Sequence, residues 1–291
     1  MPSGIIIIDK PQDWTSMDVC AKLRGVFREK RIGHAGTLDP MATGVLPVFI
    51  GRATRAVQFA ETGEKEYIAG LRLGLTTNTQ DTSGQALTRS DAVPDRAAVE
   101  AVLARFTGDL MQIPPMYSAI KIKGKKLYEL ARKGVEVERK PRPVTIYSLS
   151  LLDRLSPEGD LLLRARCSRG TYIRTLCHDI GQALGCGACM SSLARSEACG
   201  FTLSGDAVPL ADVVAHPDPL SLLRPVDALF RDLPELRATD KQEERLRHGA
   251  TPPCPDTPDG QYRVYGPDGS FLALGRVESG TLVTIKNFFE V

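Results

Sequence analysis

Gly33-His34-Ala35-Gly36-Thr37-Leu38-Asp39-Pro40-Met41-Ala42-Thr43-Gly44 places three glycines and a proline in twelve residues, which prescribes a shaped loop rather than a helix or strand. Asp39 precedes Pro40, so its backbone is pushed toward extended geometry and held there. The flanking glycines let the main chain approach a ligand closely. A carboxylate presented this way can be a nucleophile or a base. Asp-Pro is also a common turn pair, and on local sequence alone the turn aspartate is the stronger reading.

Upstream of this loop, residues 4–9 are a β-branched run stopped at Lys10-Pro11, which reads as a buried strand. Thr15 or Ser16 can cap a helix whose Val19, Leu23, Val26 and Phe27 share one face. Downstream, residues 64–75 alternate as a strand with Tyr67, Ala69, Leu71 and Leu73 on one side, and residues 76–85 form a polar, turn-rich loop. Asp95 caps a helix carrying Val99, Val102, Leu103 and Phe106, ended by Gly108. Residues 118–123 and 144–152 predict strands, and 161–168 pairs with the latter across Pro157-Glu158-Gly159-Asp160. Ile173, Leu176, Cys177, Ile180 and Leu184 mark a helix closed by Gly185. After a boundary near Leu233, a short polar helix over 239–248 precedes three short strands (262–265, 271–277, 281–288). Short strands at that spacing suggest a small barrel.

The chain has 291 residues, enough for two domains or one large domain with an appendix. A 42% hydrophobic and 25% charged composition sustains an ordinary core, so no metal or disulfide staple is required. No apolar run approaches membrane-spanning length and the N-terminus lacks a basic signal region, which points to a cytoplasmic protein. Seven cysteines, an odd number, fit reduced thiols. The net charge of +2 conceals polarity. Between Lys121 and Arg142 nine basic residues face three acids, Arg164, Arg166, Arg169 and Arg174 form a second basic set, and acids outnumber bases from Asp206 to Gly260. A basic middle suits a polyanion-binding face, although a single charge run is more often a solvated surface.

Other side chains are individually weak signals. Tyr67 on a strand ordinarily means core. Arg174, beside Tyr172 at a helix start, meets an unfavourable dipole and needs a carboxylate or phosphate from elsewhere. His34 reads by default as an exposed loop histidine. Cys186-x-x-Cys189, with Cys177 and His178 upstream, has half of a zinc spacing, but Cys177 belongs to the apolar helix face and no second such pair exists. Phosphate-loop, hydrolase-elbow and zincin motifs are all missing.

The order of these residues along the chain is more specific than any one of them. Gly4-Ile5-Ile6-Ile7-Ile8-Asp9-Lys10-Pro11, Trp14-Thr15-Ser16 and the Gly33–Pro47 stretch, with its Thr-Leu-Asp-Pro core, resemble the TruB family of tRNA pseudouridine-55 synthases. So do Lys65-Glu66-Tyr67, Arg72-Leu73-Gly74, Pro114–Lys121, Leu127–Gly134 and Cys167–Leu176. Other pseudouridine synthases usually carry their aspartate after Arg-Leu. The tail resembles the PUA-type RNA-binding barrel of such enzymes. Departures are small: Gln12-Asp13 replaces a glycine-containing turn, Met41 replaces a leucine, and Ala194 stands where an arginine is common.

The resemblance implies an α/β fold of the α+β type, with a mixed, largely antiparallel sheet and flanking helices in residues 1–232, and a PUA-like β-barrel in residues 233–291. It implies isomerisation of uridine to pseudouridine at position 55 in the tRNA T-loop, by base flipping, with Asp39 as the catalytic aspartate. Tyr67 would stack on the uracil and could help remove a proton, Arg174 would pair with Asp39, and His34, Tyr172 and Leu193 would line the site. Lys121, Lys123, Lys125, Lys126, Arg132 and Arg142 are the candidate RNA-backbone contacts. The rearrangement is redox-neutral, so no cofactor and no metal is expected. tRNA is the expected partner of a monomer that needs no obligate protein partner and no membrane. Attack on the base, attack on the sugar and removal of the sugar's C2′ proton are all compatible with these residues. The rival readings are a non-catalytic tRNA-binding or folding protein, a guide-RNA-dependent relative and a zinc enzyme.

Overall fold

A computed structural model describes residues 2–122 and 124–289. Its frame is a ten-stranded sheet. Its path runs Val208–Pro209, Gly4–Lys10, Thr43–Ile50, Ala188–Ala198, Lys65–Leu73, Leu161–Cys167, Arg142–Leu155, Gly108–Gln112, with Ile32–His34 and Phe201–Thr202 attached beside it. Two pairings on this path are parallel and the rest antiparallel, so the sheet is mixed and largely antiparallel as expected.

The β-branched first strand is buried because it lies inside the sheet, with a neighbour on each edge. Thr15 caps the following helix, Ser16–Phe27, through a capping box with Asp18. Because Thr15 fills the cap, the Ser16 hydroxyl can reach the Asp39 loop instead. Its Oγ accepts from the Leu38 N–H at 2.9 Å and donates to the Leu38 carbonyl at 3.3 Å, tying the helix to that loop. Asp13 adopts the left-handed conformation (φ 65°), a geometry that glycine takes more readily, and its N–H donates to the Pro40 carbonyl.

Two strands are not evident from the sequence. Thr43–Ile50 begins in the glycine loop and carries Pro47 in its middle. Ala188–Ala198 is central to the sheet, but register shifts at Met190/Ser192 and Arg195/Glu197 break its alternation. Gly33 and His34 likewise belong to a short strand, Ile32–His34, instead of the loop. The polar stretch 76–85 is largely the tip of a hairpin, Leu75–Thr77 against Ala86–Arg89. The strand expected over 118–123 shrinks to Lys121–Ile122 paired with Lys125–Lys126, because this basic segment has little apolar surface to bury. Lys123 lies outside the described residues.

The helix Ile173–Leu184 packs its apolar face on the Ala188–Ala198 strand and ends at Gly185, left-handed at φ 77°. In the tail, Glu235–Arg237, Gly260–Tyr265, Phe271–Glu278 and Thr281–Asn287 form a small PUA-like sheet with its own core of Leu236, Leu246, Val264, Leu272 and Leu282. Phe271, Leu274 and Phe288 leave that core and join Phe59, Phe230, Phe49 and Ile7 in one apolar cluster. The Phe59–Phe230 and Phe271–Phe288 ring centroids are 5.5 and 5.2 Å apart. No helix among the described residues is long and apolar enough to cross a membrane.

Candidate active site

Asp39 is the first residue of a tight turn, with its carbonyl accepting from the Ala42 N–H at 3.0 Å. The turn reading is therefore realised, and it leaves the Asp39 side chain free to face away from the turn's own hydrogen bond. The loop is held from behind by Ser16 and by Lys10, whose buried ammonium donates to the carbonyls of Pro11 (2.8 Å), Trp14 (2.6 Å) and Pro40 (3.2 Å). Burial pushes the Lys10 amine down to about 8, although Asp13 and Asp39 pull the other way.

Arg174 gathers three segments onto one guanidinium. Nε lies 3.0 Å from Asp39 Oδ2, and Nη2 lies 3.4 Å from Asp39 Oδ1. Nη1 faces Asp81 Oδ2 at 3.5 Å and the Thr79 carbonyl at 3.3 Å, and Nη2 donates to the Tyr117 carbonyl at 2.9 Å. The carboxylate that Arg174 required at its helix start is thus supplied twice. Side-chain exposure separates the partners: Arg174 is 7% and Asp81 6% exposed, whereas Asp39 is 39% exposed. The buried pair forms the base of the site and Asp39 is its accessible edge.

Two carboxylates share the Arg174 guanidinium, and the Lys10 ammonium behind the loop also acts on Asp39. Burial raises the Asp39 carboxyl above its ordinary range, Arg174 pulls it down, and Asp81 pushes it up again, leaving a net upward shift. Even with its oxygens partly open, Asp39 is surrounded by enough protein for desolvation to dominate.

Tyr67 is buried on the Lys65–Leu73 strand in one cluster with Leu38, Ala42 and Leu193. Burial raises its phenol, as does the nearby Asp39 charge, while Arg195 lowers it. Leu193 stands across the ladder from Ala69. Tyr172 precedes the Arg174 helix, and its main chain is clamped by the buried Gln112 amide (N–H to Oε1 2.8 Å, Nε2–H to carbonyl 3.1 Å). Burial raises its phenol, Ser118 and Arg174 pull it down, and the Asp39 charge pushes it up again. Tyr67 and Leu193 thus share one apolar cluster with Leu38, the neighbour of Asp39, and the Asp39 charge acts on both the Tyr67 and the Tyr172 phenols. His34 sits at the other end of the loop, on the Ile32–His34 strand. It is half-buried instead of exposed, and burial and Arg195 lower its pKa.

Asp81, Gln112 and Arg195 were not apparent from sequence. Asp81 lies in Thr79-Gln80-Asp81-Thr82-Ser83, a turn signature, and it does accept from Thr79 Oγ1 (2.7 Å) and the Ser83 N–H (3.0 Å). Nothing local shows that its other oxygen faces Arg174. Lys121, Lys125, Arg132 and Arg142 are at the surface, and Lys126 is half-buried. Lys126 and Arg132 each lie 5.4 Å from the Tyr128 ring. All seven cysteines are free thiols, and among the described residues no three His, Cys, Asp or Glu side chains are grouped to hold a metal.

Replacing Asp81 by asparagine separates two effects. Arg174 loses an anchor, so the single-turnover rate at neutral pH falls about 10- to 100-fold. Asp39 also loses a neighbouring negative charge, so its carboxyl ionises at lower pH. For a reaction that needs Asp39 ionised, the wild-type rate is expected to decline as pH falls through an Asp39 value above the ordinary carboxylate range, and this acid limb is expected to move to lower pH in Asp81→Asn. A pH–rate profile of both proteins checks the sign; coincident limbs refute the coupling.

A family model described as "TruB family pseudouridylate synthase (N terminal domain)" matches residues 24–173. A second, "tRNA pseudouridylate synthase B C-terminal domain", matches residues 174–231. The chain is 41% identical over 289 residues to tRNA pseudouridine synthase B of Cupriavidus metallidurans, covering 96% of this chain and 92% of that protein. It is 45% identical to the protein of that name in Syntrophomonas wolfei, covering 95% and 94%. Among solved structures it superposes on a chain of a Cbf5-Nop10-Gar1 complex with a TM-score of 0.74 at 26% identity, covering 98% of this chain and 85% of that one. The loop, the sheet and the full-length likeness agree: this chain belongs to the TruB family of pseudouridylate synthases.

Proposed function

We propose that the chain isomerises uridine to pseudouridine at position 55 in the T-loop of tRNA, with Asp39 as nucleophile. The observation that carries this reading is a partly accessible carboxylate held side-on by a buried arginine, against an apolar wall of Leu38, Tyr67 and Leu193. The uridine leaves its stack at a cost of a few kcal/mol, and stacking on Tyr67 returns about 1–3 kcal/mol. Asp39 adds to the nucleotide as the bond between N1 and C1′ breaks. The uracil turns, C5 bonds to C1′, the C5 proton is lost to a base, N1 gains a proton, and the carboxylate leaves. Atoms and electrons balance within one nucleotide, so the chemistry calls for neither cofactor nor metal. In this reading Tyr67 takes part in the proton transfer, and Tyr172, Leu193 and His34 line the site of the flipped nucleotide.

In the same reading residues 1–232 are the catalytic domain and 233–291 the RNA-binding domain of a monomer that needs no partner protein. Release of tritium from C5-labelled uridine in bare tRNA by the purified chain tests this. No release would leave a binding protein, and release only with added guide RNA would leave the guide-dependent relative.

The basic hairpin and Arg142 are the proposed phosphate contacts. tRNA affinity is expected to fall steeply with salt, with a log–log slope of about −3 or steeper if several of these cations engage. Lys125→Ala should flatten that slope by about one unit. Filter binding across a salt series measures both, and a flat response removes the hairpin from the interface.

A further inference from the structure

Arg195 is fully buried, on the central strand Ala188–Ala198. Among the described residues no carboxylate lies within ion-pairing distance of it, which is a costly arrangement for a charged side chain. Its charge is met by two main-chain carbonyls, Nε donating to Val45 at 2.7 Å and Nη2 to Gly36 at 2.9 Å. These acceptors lie on either side of the Asp39 turn, so one guanidinium grips both limbs of the loop. The loop is shaped to meet it. A Cβ on Gly36 (φ +74°) would stand 3.1 Å from Arg195 Nη1, and one on Gly44 (φ +97°) would collide with the Arg195 carbonyl.

The remaining nitrogen, Nη1, is buried and completes no well-aligned hydrogen bond, although the Tyr67 hydroxyl is close enough for the guanidinium to act on it as a donor. Directly across the antiparallel ladder from Arg195 is Tyr67, on the same face of the sheet and also buried. The other charged or titratable groups acting on the Tyr67 phenol are Asp39 and Cys167, and His34, Lys10, Lys65 and Cys199 each feel the Arg195 charge. Arg195 is the strongest influence opposing burial at that phenol.

We propose that Arg195 is a positioning residue for the isomerisation, clamping both limbs of the Asp39 loop and offering its remaining N–H to the Tyr67 hydroxyl. The hydroxyl oxygen then accepts from the guanidinium, which fixes the direction in which its own proton can be exchanged with the flipped base. This rests on the reading of Asp39 and Tyr67 as parts of one reacting site, and it adds a residue that never touches substrate.

The test uses the full chain and the variants Arg195→Lys, Arg195→Met, Tyr67→Phe and Arg195→Lys/Tyr67→Phe. Single-turnover tritium release is expected to fall about 100-fold in Arg195→Lys, the scale of losing one preorganised donor, with tRNA affinity held within about threefold. In the Tyr67→Phe background the same change should cost at least about tenfold less than in wild type, because the acceptor is already gone and only the loss of the loop clamp remains. Fluorotyrosine at position 67, followed by fluorine NMR, reads the phenol directly: its ionisation should move to higher pH in Arg195→Lys and further in Arg195→Met. If the methionine variant does not fold, the lysine variant carries both readings. Full additivity in the cycle, or an unmoved titration in a folded variant, overturns the proposal. The titration needs no turnover, so a wild type inactive on tRNA would count against the proposed function and leave this inference standing on its own result.

Discussion

Asp39→Asn is expected to lower pseudouridine formation by at least about 10⁴-fold, the scale of removing a covalent nucleophile, while tRNA binding stays within a few-fold of wild type. The amide keeps the shape and the turn but cannot add to the nucleotide. The site tolerates the change because Arg174 retains Asp81 and the carbonyls of Thr79 and Tyr117. The fold should tolerate it as well. Burial lifts the Asp39 carboxyl, so the folded state holds that proton more tightly than the unfolded chain does. As pH rises through the interval between the two values the group subtracts from stability, and a neutral amide lacks that penalty. Thermal melting, filter binding and tritium release on one preparation check the three parts. Substantial turnover by a folded Asp39→Asn protein would remove the aspartate from the chemistry.

Arg174→Ala is expected to do damage of two kinds. Asp39 and Asp81 are left facing each other with no cation between them, and the Thr79 and Tyr117 carbonyls lose their donor. Turnover should drop about 10³-fold or more, with a much smaller loss in tRNA affinity. Residual activity should show its acid limb at higher pH than wild type, the opposite displacement from Asp81→Asn, because a pull toward ionisation has gone. Stability should fall by about 2–4 kcal/mol, less than for a fully enclosed pair since Asp39 is partly open. Chemical denaturation measures that part. Equal losses in rate and affinity would recast Arg174 as a phosphate contact.

How much was legible in the sequence depended on whether a signal was local. The Thr15 cap, the Gly185 helix end and the 161–167 hairpin arm are local events, and short-range sterics and hydrogen bonds declare them. Asp39 stood out because glycines and a proline frame it. The Ala188–Ala198 strand did not stand out, since its bulges scramble the period of two on which strand recognition depends. Its missed assignment hid Arg195 as well. The departure at Ala194 drew attention to a half-buried position, whereas the neighbouring residue is the one that enters the core. Asp81 shows the same limit from the other side. Its turn could be read from five residues, but its pairing with Arg174 joins distant parts of the chain and exists only once the hairpin tip is folded against the helix. Groups of residues met in order carried what single residues could not, which is why the family and the sheet could be read before the electrostatic partners of Asp39 were.

The phenylalanines that cross from the tail into the main apolar cluster change what a cut at the domain boundary would mean. Removing residues 233–291 would not release a passenger; it would peel a hydrophobic lid from the sheet's outer face and wet Phe59 and Phe230. The tail and the sheet should therefore melt in one cooperative step, with the tail held as a rigid extension of the shared apolar cluster.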